Sequence, residues 1–386
     1  MLKAKVIGIG QCGNKAVIDL IEKGIIGPND VLLMNTTLKD IPEKYRELAM
    51  LIEGTEGCGK ERNLAKKYAM ENLKEGKLNL DALMEQDDAM VIIATSTSGG
   101  SGSGASTIIA KYFADVLGKT VHMFAFGGFN TDVREIKNTV EWFKDTEPSY
   151  VVEAIRNDKF PGNKNKAEKA ANDEFCERVK ILLGKTIVES ENNIDDTDLL
   201  KLTTTPGFMT IEHGDIGKPK SIEDFNKAVI DIVDHTKSYD VIPNGTRLGV
   251  ILDIEDRTAE NIDFQYEEIK ARLAEEPFEV FTHIQNVNQG NTIQIIAAGL
   301  KMPIEEIESL YNDFKDRSDK VDRSKDSFFS MDFDTDSDDF DMGSSQQSAD
   351  EIAKKKASFF GGSFTQPNQQ KPVMNSNGQF TNINKA

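Results

Sequence analysis

Two glycine-rich stretches stand at places where chemistry could be done. Gly8-Ile9-Gly10-Gln11-Cys12-Gly13 ends the apolar run "AKVIGIG", and Ser98-Gly99-Gly100-Ser101-Gly102-Ser103-Gly104 follows "MVIIATS". Each is followed by a helix-like pattern. A strand that ends in glycines and feeds a helix leaves backbone N–H groups unpaired at a helix N-terminus, which attracts phosphate. Glycine is required because a Cβ would hold the phosphate away from the backbone. By composition alone "SGGSGSG" reads as a flexible linker. Its position between a buried strand and a helix predicts a cradle instead.

The kind of phosphate is narrowed by what is missing. The first stretch matches the G-x-G-x-x-G dinucleotide fingerprint. A nicotinamide site also needs an acidic residue at the end of the second strand to hold the ribose. That strand ends Met34-Asn35-Thr36-Thr37, without an acid. This counts against a dinucleotide-dependent oxidoreductase, which stays as the alternative from another class. Gly54 to Glu61, "GTEGCGKE", falls one residue short of a P-loop: Glu61 stands where a hydroxyl would hold magnesium. The P-loop is rejected, but a glycine loop touching a terminal phosphate is retained. The three cysteines (Cys12, Cys58, Cys176) and four histidines are scattered, so neither a disulfide framework nor a zinc site is expected.

The elements that must position these loops follow from periodicity. Apolar runs at 4–10, 30–36, 89–96, 120–128 and 150–155 alternate with helical patterns at 14–24, 63–76, 105–118 and 133–145. Continuous apolar strands alternating with helices predict an α/β fold with a parallel, Rossmann-like sheet covered on both faces. A long helical pattern spans 167–190. Beyond it a helix-like run and three further strand-like runs predict a second, smaller α/β domain with a mixed sheet. The expected division is 1–166 for nucleotide binding, 167–205 for the central helix and linker, and 206–315 for the second domain. Residues 316–386 are expected to be a disordered tail, with acids and aromatics interleaved and then Lys354-Lys355-Lys356.

The net charge of -19 over 386 residues argues against binding nucleic acid through the general surface. No apolar run approaches the ~20 residues of a membrane span. No signal peptide is read before the first strand, so a cytoplasmic place is expected.

Several motifs, in order and spacing, resemble the tubulin/FtsZ superfamily of filament-forming GTPases over about residues 3–310. "GQCGN" (10–14) is similar to the first nucleotide loop, and "SGGSGSG" (98–104) to the family signature, with Ser101 where threonine is usual. "MNTT" (34–37), "GCGKERN" (57–63), "GFNTDVRE" (128–135), "RND" (156–158), "AAND" (170–173) and "TTTPGFMTIEHGD" (203–215) occupy the places of later loops. The tail has neither an FtsZ-like C-terminal peptide nor a glutamate-rich end.

The resemblance implies GTP and GDP as ligands, with Mg2+ held through the phosphates and no protein metal site. It implies phosphate contacts from Gly10, Gln11, Cys12, Asn14, Asn35, Gly99, Gly100, Ser101, Gly102 and Ser103. Gly57, Gly59 and Lys60 would meet the γ-phosphate, Asp132 the ribose, and Asn157 with Asn172 (or Asp173) the guanine. Glu212 and Asp215 would complete the site of the next subunit in a head-to-tail homopolymer, so that hydrolysis depends on assembly. The role implied is a cytoskeletal filament in a bacterial host that positions or segregates plasmid or phage DNA or particles. A bacterial division ring is the second reading, and a non-hydrolysing scaffold of the same fold the third. The tail is expected to reach an adaptor or a DNA-bound partner.

Overall fold

The computed structural model describes residues 1–129, 132–188, 194–255, 264–286 and 290–322, with side chains to residue 316, together with Lys355 and Phe359. The first half realises the strand–helix alternation. Strands β1 (Ala4–Ile9), β2 (Val31–Asn35), β4 (Met90–Ser96), β5 (Val121–Gly127) and β6 (Val151–Arg156) are nearly all buried, as parallel strands covered on both faces must be. A short β3 (Ala49–Leu51), invisible to periodicity, adds an edge to β2. Helices α1 (Gly10–Glu22), α2 (Arg62–Lys74), α3 (Ser101–Lys111) and α4 (Val133–Asp145) connect them.

Two helices begin earlier than their apolar spacing indicates. α1 opens at Gly10 and α3 at Ser101, inside the glycine stretches themselves. Glycine and serine carry no apolar period, so periodicity registers a helix only where its core-facing side chains begin.

The long helix α5 (Lys164–Leu182) is capped by Asn163, whose side chain accepts from Lys166 N–H. Thus 170–173 lies within the helix, not at its opening. Next come α6 (Asp196–Thr203), which sequence patterning had not separated from the linker, then β7 (Gly207–Asp215) and α7 (Ile222–Asp234). β8 (Arg247–Ile254), α8 (Glu267–Leu273), β9 (Glu279–Asn286), β10 (Thr292–Leu300) and α9 (Ile304–Asp322) complete the chain. The helix α9 continues through position 316. From 323 onward, apart from Lys355 and Phe359, the expected tail lies outside the described residues.

Among the described residues ten strands join in one sheet, β3-β2-β1-β4-β5-β6-β7-β10-β8-β9. It is parallel from β3 to β7, while β10 runs antiparallel to both β7 and β8, so the mixed pairing expected of the second half continues the same sheet and does not form a second one. β6 and β7 pair only at Val151↔Gly207 and Val152↔Phe208. Beyond that they part, and the Arg156 N–H donates instead to Lys237 O, 2.8 Å away. α5 covers the sheet through Phe175, Val179 and Leu182, which share a buried cluster with β-strand side chains. Residues Met1–Ser344 form one compact unit; the other, Ser345–Ala386, is described only at two helical positions.

Candidate functional site

The two glycine turns meet. Gly10 has φ +76°, and a Cβ there would lie 2.9 Å from Gly102 N and 3.0 Å from Gly102 Cα. Any larger residue would push the N-termini of α1 and α3 apart. Gly100 in turn lies under the 57–61 loop, where a Cβ would stand 2.9 Å from both Lys60 N and Glu61 N. That loop holds left-handed backbone at Gly57, Gly59 and Lys60, the last the single non-glycine residue with positive φ among those described. The expected phosphate residues Gly10–Asn14, Gly57–Lys60 and Gly99–Ser103 are therefore brought together at the C-terminal ends of β1 and β4.

The caps of the helices follow the same division. α4, α5, α6 and α7 each have a side chain accepting from a first-turn N–H. α1, α2, α3 and α8 have none, and of these only α8 carries acids in its first turn. Their leading N–H groups have no partner within the helix. Three uncapped N-termini around glycine backbone make a strong anion site.

Polar side chains brace the cradle. Thr36 Oγ1 and Ser101 Oγ are 2.8 Å apart, joining the end of β2 to the start of α3. Ser103 turns its hydroxyl back onto Gly99 O. Asn35 is buried and turned inward; its Oδ1 accepts from Thr36 N–H and its Nδ2 meets Asp40. Asn14 is 1% exposed, donates to Met34 O, and leaves Oδ1 without a partner. Gln11 is exposed and Cys12 half-buried at the rim.

One residue that sequence reasoning missed ties these loops. Asn138 of α4 donates from Nδ2 to Lys60 O (3.0 Å), Ser98 O (3.1 Å) and Gly99 O (3.4 Å). An amide at a core-facing position of the amphipathic run "VREIKNTVEWF" was the available signal. Core positions take a polar group only when something buried needs it.

Asp132 has two partners already. Its Oδ1 caps α4 through Glu135 N–H, and its Oδ2 meets Lys60 Nζ at 2.8 Å. Lys60 also pairs with Glu135 at 2.9 Å. Hydrogen bonding to Lys60 holds the Asp132 carboxyl below the usual range, against a smaller push upward from burial. Gly128 sits on the turn at Asn157, since a Cβ there would lie 3.0 Å from Asn157 N. The Oδ1 of Asn157 is buried without a partner. Guanine carries N1–H and N2–H₂ donors, which such an acceptor matches. Asn172 faces α1, donating to Asp19 Oδ2 at 2.9 Å, while Asp173 pairs with Lys23 at 2.5 Å.

The residues fit a nucleoside di- or triphosphate on three counts. Glycine cradles would be filled by any Cβ, helix N-termini are uncapped, and acceptors on Asn14 and Asn157 are open. Among the described residues no group of three or more His, Cys, Asp or Glu is arranged to hold a metal ion.

Glu212 and Asp215 are not brought to a cross-subunit position, which corrects their assignment. β7 runs parallel to β6 with Gly207 opposite Val151, so Glu212 lies level with Arg156, at the same end of the sheet as the glycine turns. A residue that completes a neighbour's site in a head-to-tail polymer must lie at the other end. Glu212 is moreover 4% exposed, with Thr210 and Thr236 donating to its Oε1 at 2.5 and 2.6 Å. Burial pushes its carboxyl above the ordinary range. Asp215 is exposed and accepts from Gly217 N–H. At the opposite end, beside the start of β1, are the acids that open α6. Asp195 caps the helix, Asp196 pairs with the Met1 amino group at 2.6 Å, and Asp198 is 32% exposed.

Comparison with known proteins agrees with this geometry. Residues 3–162 match the model "Tubulin/FtsZ family, GTPase domain". The chain is 28% identical over 224 residues to the cell division protein FtsZ of Aquifex aeolicus (strain VF5), covering 55% of each. It is 28% identical over 207 residues to the tubulin-like protein TubZ of Clostridium botulinum C phage, covering 51% of this chain and 55% of TubZ. The aligned part spans about half the length of these curated relatives. Among solved structures, a GTPyS-form protofilament of Bacillus thuringiensis serovar israelensis TubZ superposes with a TM-score of 0.69 at 15% identity, covering 84% of this chain and 93% of that one. Among the described residues no helix is long and apolar enough to cross a membrane. Residues 3–162 therefore match the GTPase domain of the tubulin/FtsZ family, within a chain that has the tubulin-like fold.

Proposed function

We propose that this protein binds GTP and GDP where the turns after β1 and β4 meet, and hydrolyses GTP as it assembles head to tail into filaments. The observation that carries this reading is the contact of the uncapped α1 and α3 N-termini at Gly10 and Gly102 within the family's GTPase domain. Mg2+ would be held through the nucleotide phosphates. The guanine would be read by Asn157, with Asn172 and Asp173 beside it, and the ribose by Asp132 once Lys60 turns to the γ-phosphate. The division at 167–205 belongs to the same proposal, with residues to 166 binding nucleotide and 206–315 forming the C-terminal domain.

For hydrolysis, a carboxylate from the neighbouring copy would orient water in line with the γ-phosphate, and backbone donors would stabilise the transferring charge. Asp196 and Asp198 at the far end of the sheet are better placed for this than Glu212 and Asp215. The cellular role we favour is positioning or segregation of plasmid or phage DNA or particles, with the C-terminal region reaching an adaptor or DNA-bound partner. It is motivated by the likeness to a phage TubZ. A division filament is the second reading, since the likeness to an FtsZ is of equal identity.

GTP-dependent sedimentation with phosphate release tests the reading. Wild type should pellet and release phosphate only with GTP. Asp198→Ala should still bind GTP and lose most of its hydrolysis, whereas Asp215→Ala should keep it. If Asp215→Ala alone abolishes turnover, the assignment by sheet end is wrong. If GTP neither binds nor promotes pelleting, the whole reading fails.

A further inference from the structure

Where β6 and β7 part, the segment between α7 and β8 closes over the face of β7 that carries Thr210 and Glu212. This leaves a cleft of about 250 Å³, lined among others by Thr210, Glu212, Thr236, Tyr239, Asp240 and Arg272. Both threonine hydroxyls donate to Oε1 of Glu212, and Oε2 has no hydrogen-bond partner among the described residues. An ionised carboxylate so deeply buried is unfavourable unless a cation meets it.

No cation of the described chain hydrogen-bonds to it, although the Arg178 guanidinium acts on it through its field. Arg178 of α5 is fully buried, donates from Nε to Glu174 at 2.7 Å, and lies 3.5 Å from Glu153. His122 faces Glu153 at 2.9 Å, and His213 faces Glu174 at 3.1 Å. One guanidinium thus serves the field of three buried or nearly buried carboxylates, and its hydrogen bonds go to the other two. Arg272, at the cleft, is engaged by Asp234 at 3.2 Å and Glu268 at 2.9 Å. Asp240 adds a further negative charge.

We propose that this cleft binds an organic cation, a primary ammonium or an alkylguanidinium, whose N–H groups meet Oε2 of Glu212. The lining suits that class, with hydroxyl and carboxylate acceptors for N–H donors and the Tyr239 ring beside them. Its volume lies below the roughly 300–1,000 Å³ of drug-sized pockets, which matches a single basic side chain or a small amine. Among the described residues no group of three or more His, Cys, Asp or Glu is arranged there to hold a metal ion. Burial raises the Glu212 carboxyl, and a bound cation would lower it again. The ligand could be a free amine or a Lys or Arg side chain of another copy.

Agmatine, an alkylguanidinium, is the probe, titrated by calorimetry into the full-length protein. Wild type should bind it saturably, Glu212→Gln at least tenfold more weakly, and Asp215→Asn as wild type, because that exposed acid lies outside the lining. Equal affinity in Glu212→Gln, or no saturable binding to wild type, overturns the site. An infrared difference spectrum of wild type requires no variant. Agmatine bound at Glu212 should shift a carboxyl or carboxylate band, and an unchanged carboxyl region refutes the assignment. Agmatine added to GTP-driven pelleting separates the sources. Reduced pelleting means that a side chain of a neighbouring copy occupies the cleft, and undiminished pelleting that a free amine does; both results support the site.

Discussion

Replacing Asn138 with alanine isolates the brace of the phosphate loops. Its Nδ2 donates to Lys60 O and Ser98 O at 3.0 and 3.1 Å, and reaches Gly99 O at 3.4 Å. Asn138 itself is 7% exposed, so the carbonyls it serves lose their donor in a place with little water. At about 1 kcal/mol net per neutral hydrogen bond, and more where a buried acceptor is orphaned, the change should remove about 2–3 kcal/mol. For a chain of 386 residues that corresponds to a melting temperature lower by roughly 3–4 °C.

The same loss should appear in ligand binding. The 57–61 loop and the Ser98–Gly99 turn are then no longer pre-set, and GTP must order them. About 1.4 kcal/mol of that requirement weakens GTP tenfold. Thermal unfolding followed by circular dichroism, and titration with a fluorescent GTP analogue, measure both effects. Asn138→Asp is the control. It preserves the shape but points a carboxylate at three carbonyl oxygens, so it should fall below alanine on both measures. If Asn138→Ala melts within about 1 °C of wild type and binds GTP within twofold, the brace does not organise the site.

Two further outcomes follow from the same geometry. Ser101→Ala removes the 2.8 Å link to Thr36 and should weaken GTP several-fold by about 1 kcal/mol, whereas Ser98→Ala loses only a 3.2 Å contact with Ser96 and should bind nearly as wild type; equal effects in the same titration would mean that the glycines alone make the cradle. Glu174 is pushed up by burial, but Arg178 and His213 outweigh that and hold its carboxyl at about 2. A depressed carboxyl contributes stability that is complete above the unfolded value near 4.5 and is lost as pH falls from there towards 2. The unfolding free energy of wild type from urea titrations should therefore drop by a few kcal/mol over that window, and that of Glu174→Gln should change much less; parallel curves would refute the buried pairing.

The elements of the first half were legible because buried parallel strands are continuous apolar runs, and β1, β2, β4, β5 and β6 fall within a residue or two of them. Helix starts were less legible. At Gly10 and Ser101 the first turn consists of backbone chemistry, without apolar side chains to mark a period. α6 was hidden because its eight residues carry only a short apolar stripe at Leu199 and Leu202. Asn138 was hidden because its role depends on three carbonyls 39 to 78 positions away in sequence.

The sequence by itself determined the chemistry of the cradle, since only glycine turns between strand and helix let backbone N–H groups from two loops converge. It also determined the order of the loops that made the family recognisable. The tertiary structure alone decided where the acids stand. Glu212 and Asp215 share a motif-like segment, yet a two-pair parallel junction between β6 and β7 carries them to the nucleotide end of the sheet. The same junction buries Glu212 in a cleft, while Asp196 and Asp198 lie at the far end, beside the chain's first residues. Strand direction and the depth of burial arise from pairing between distant segments, and no local pattern of residues records them.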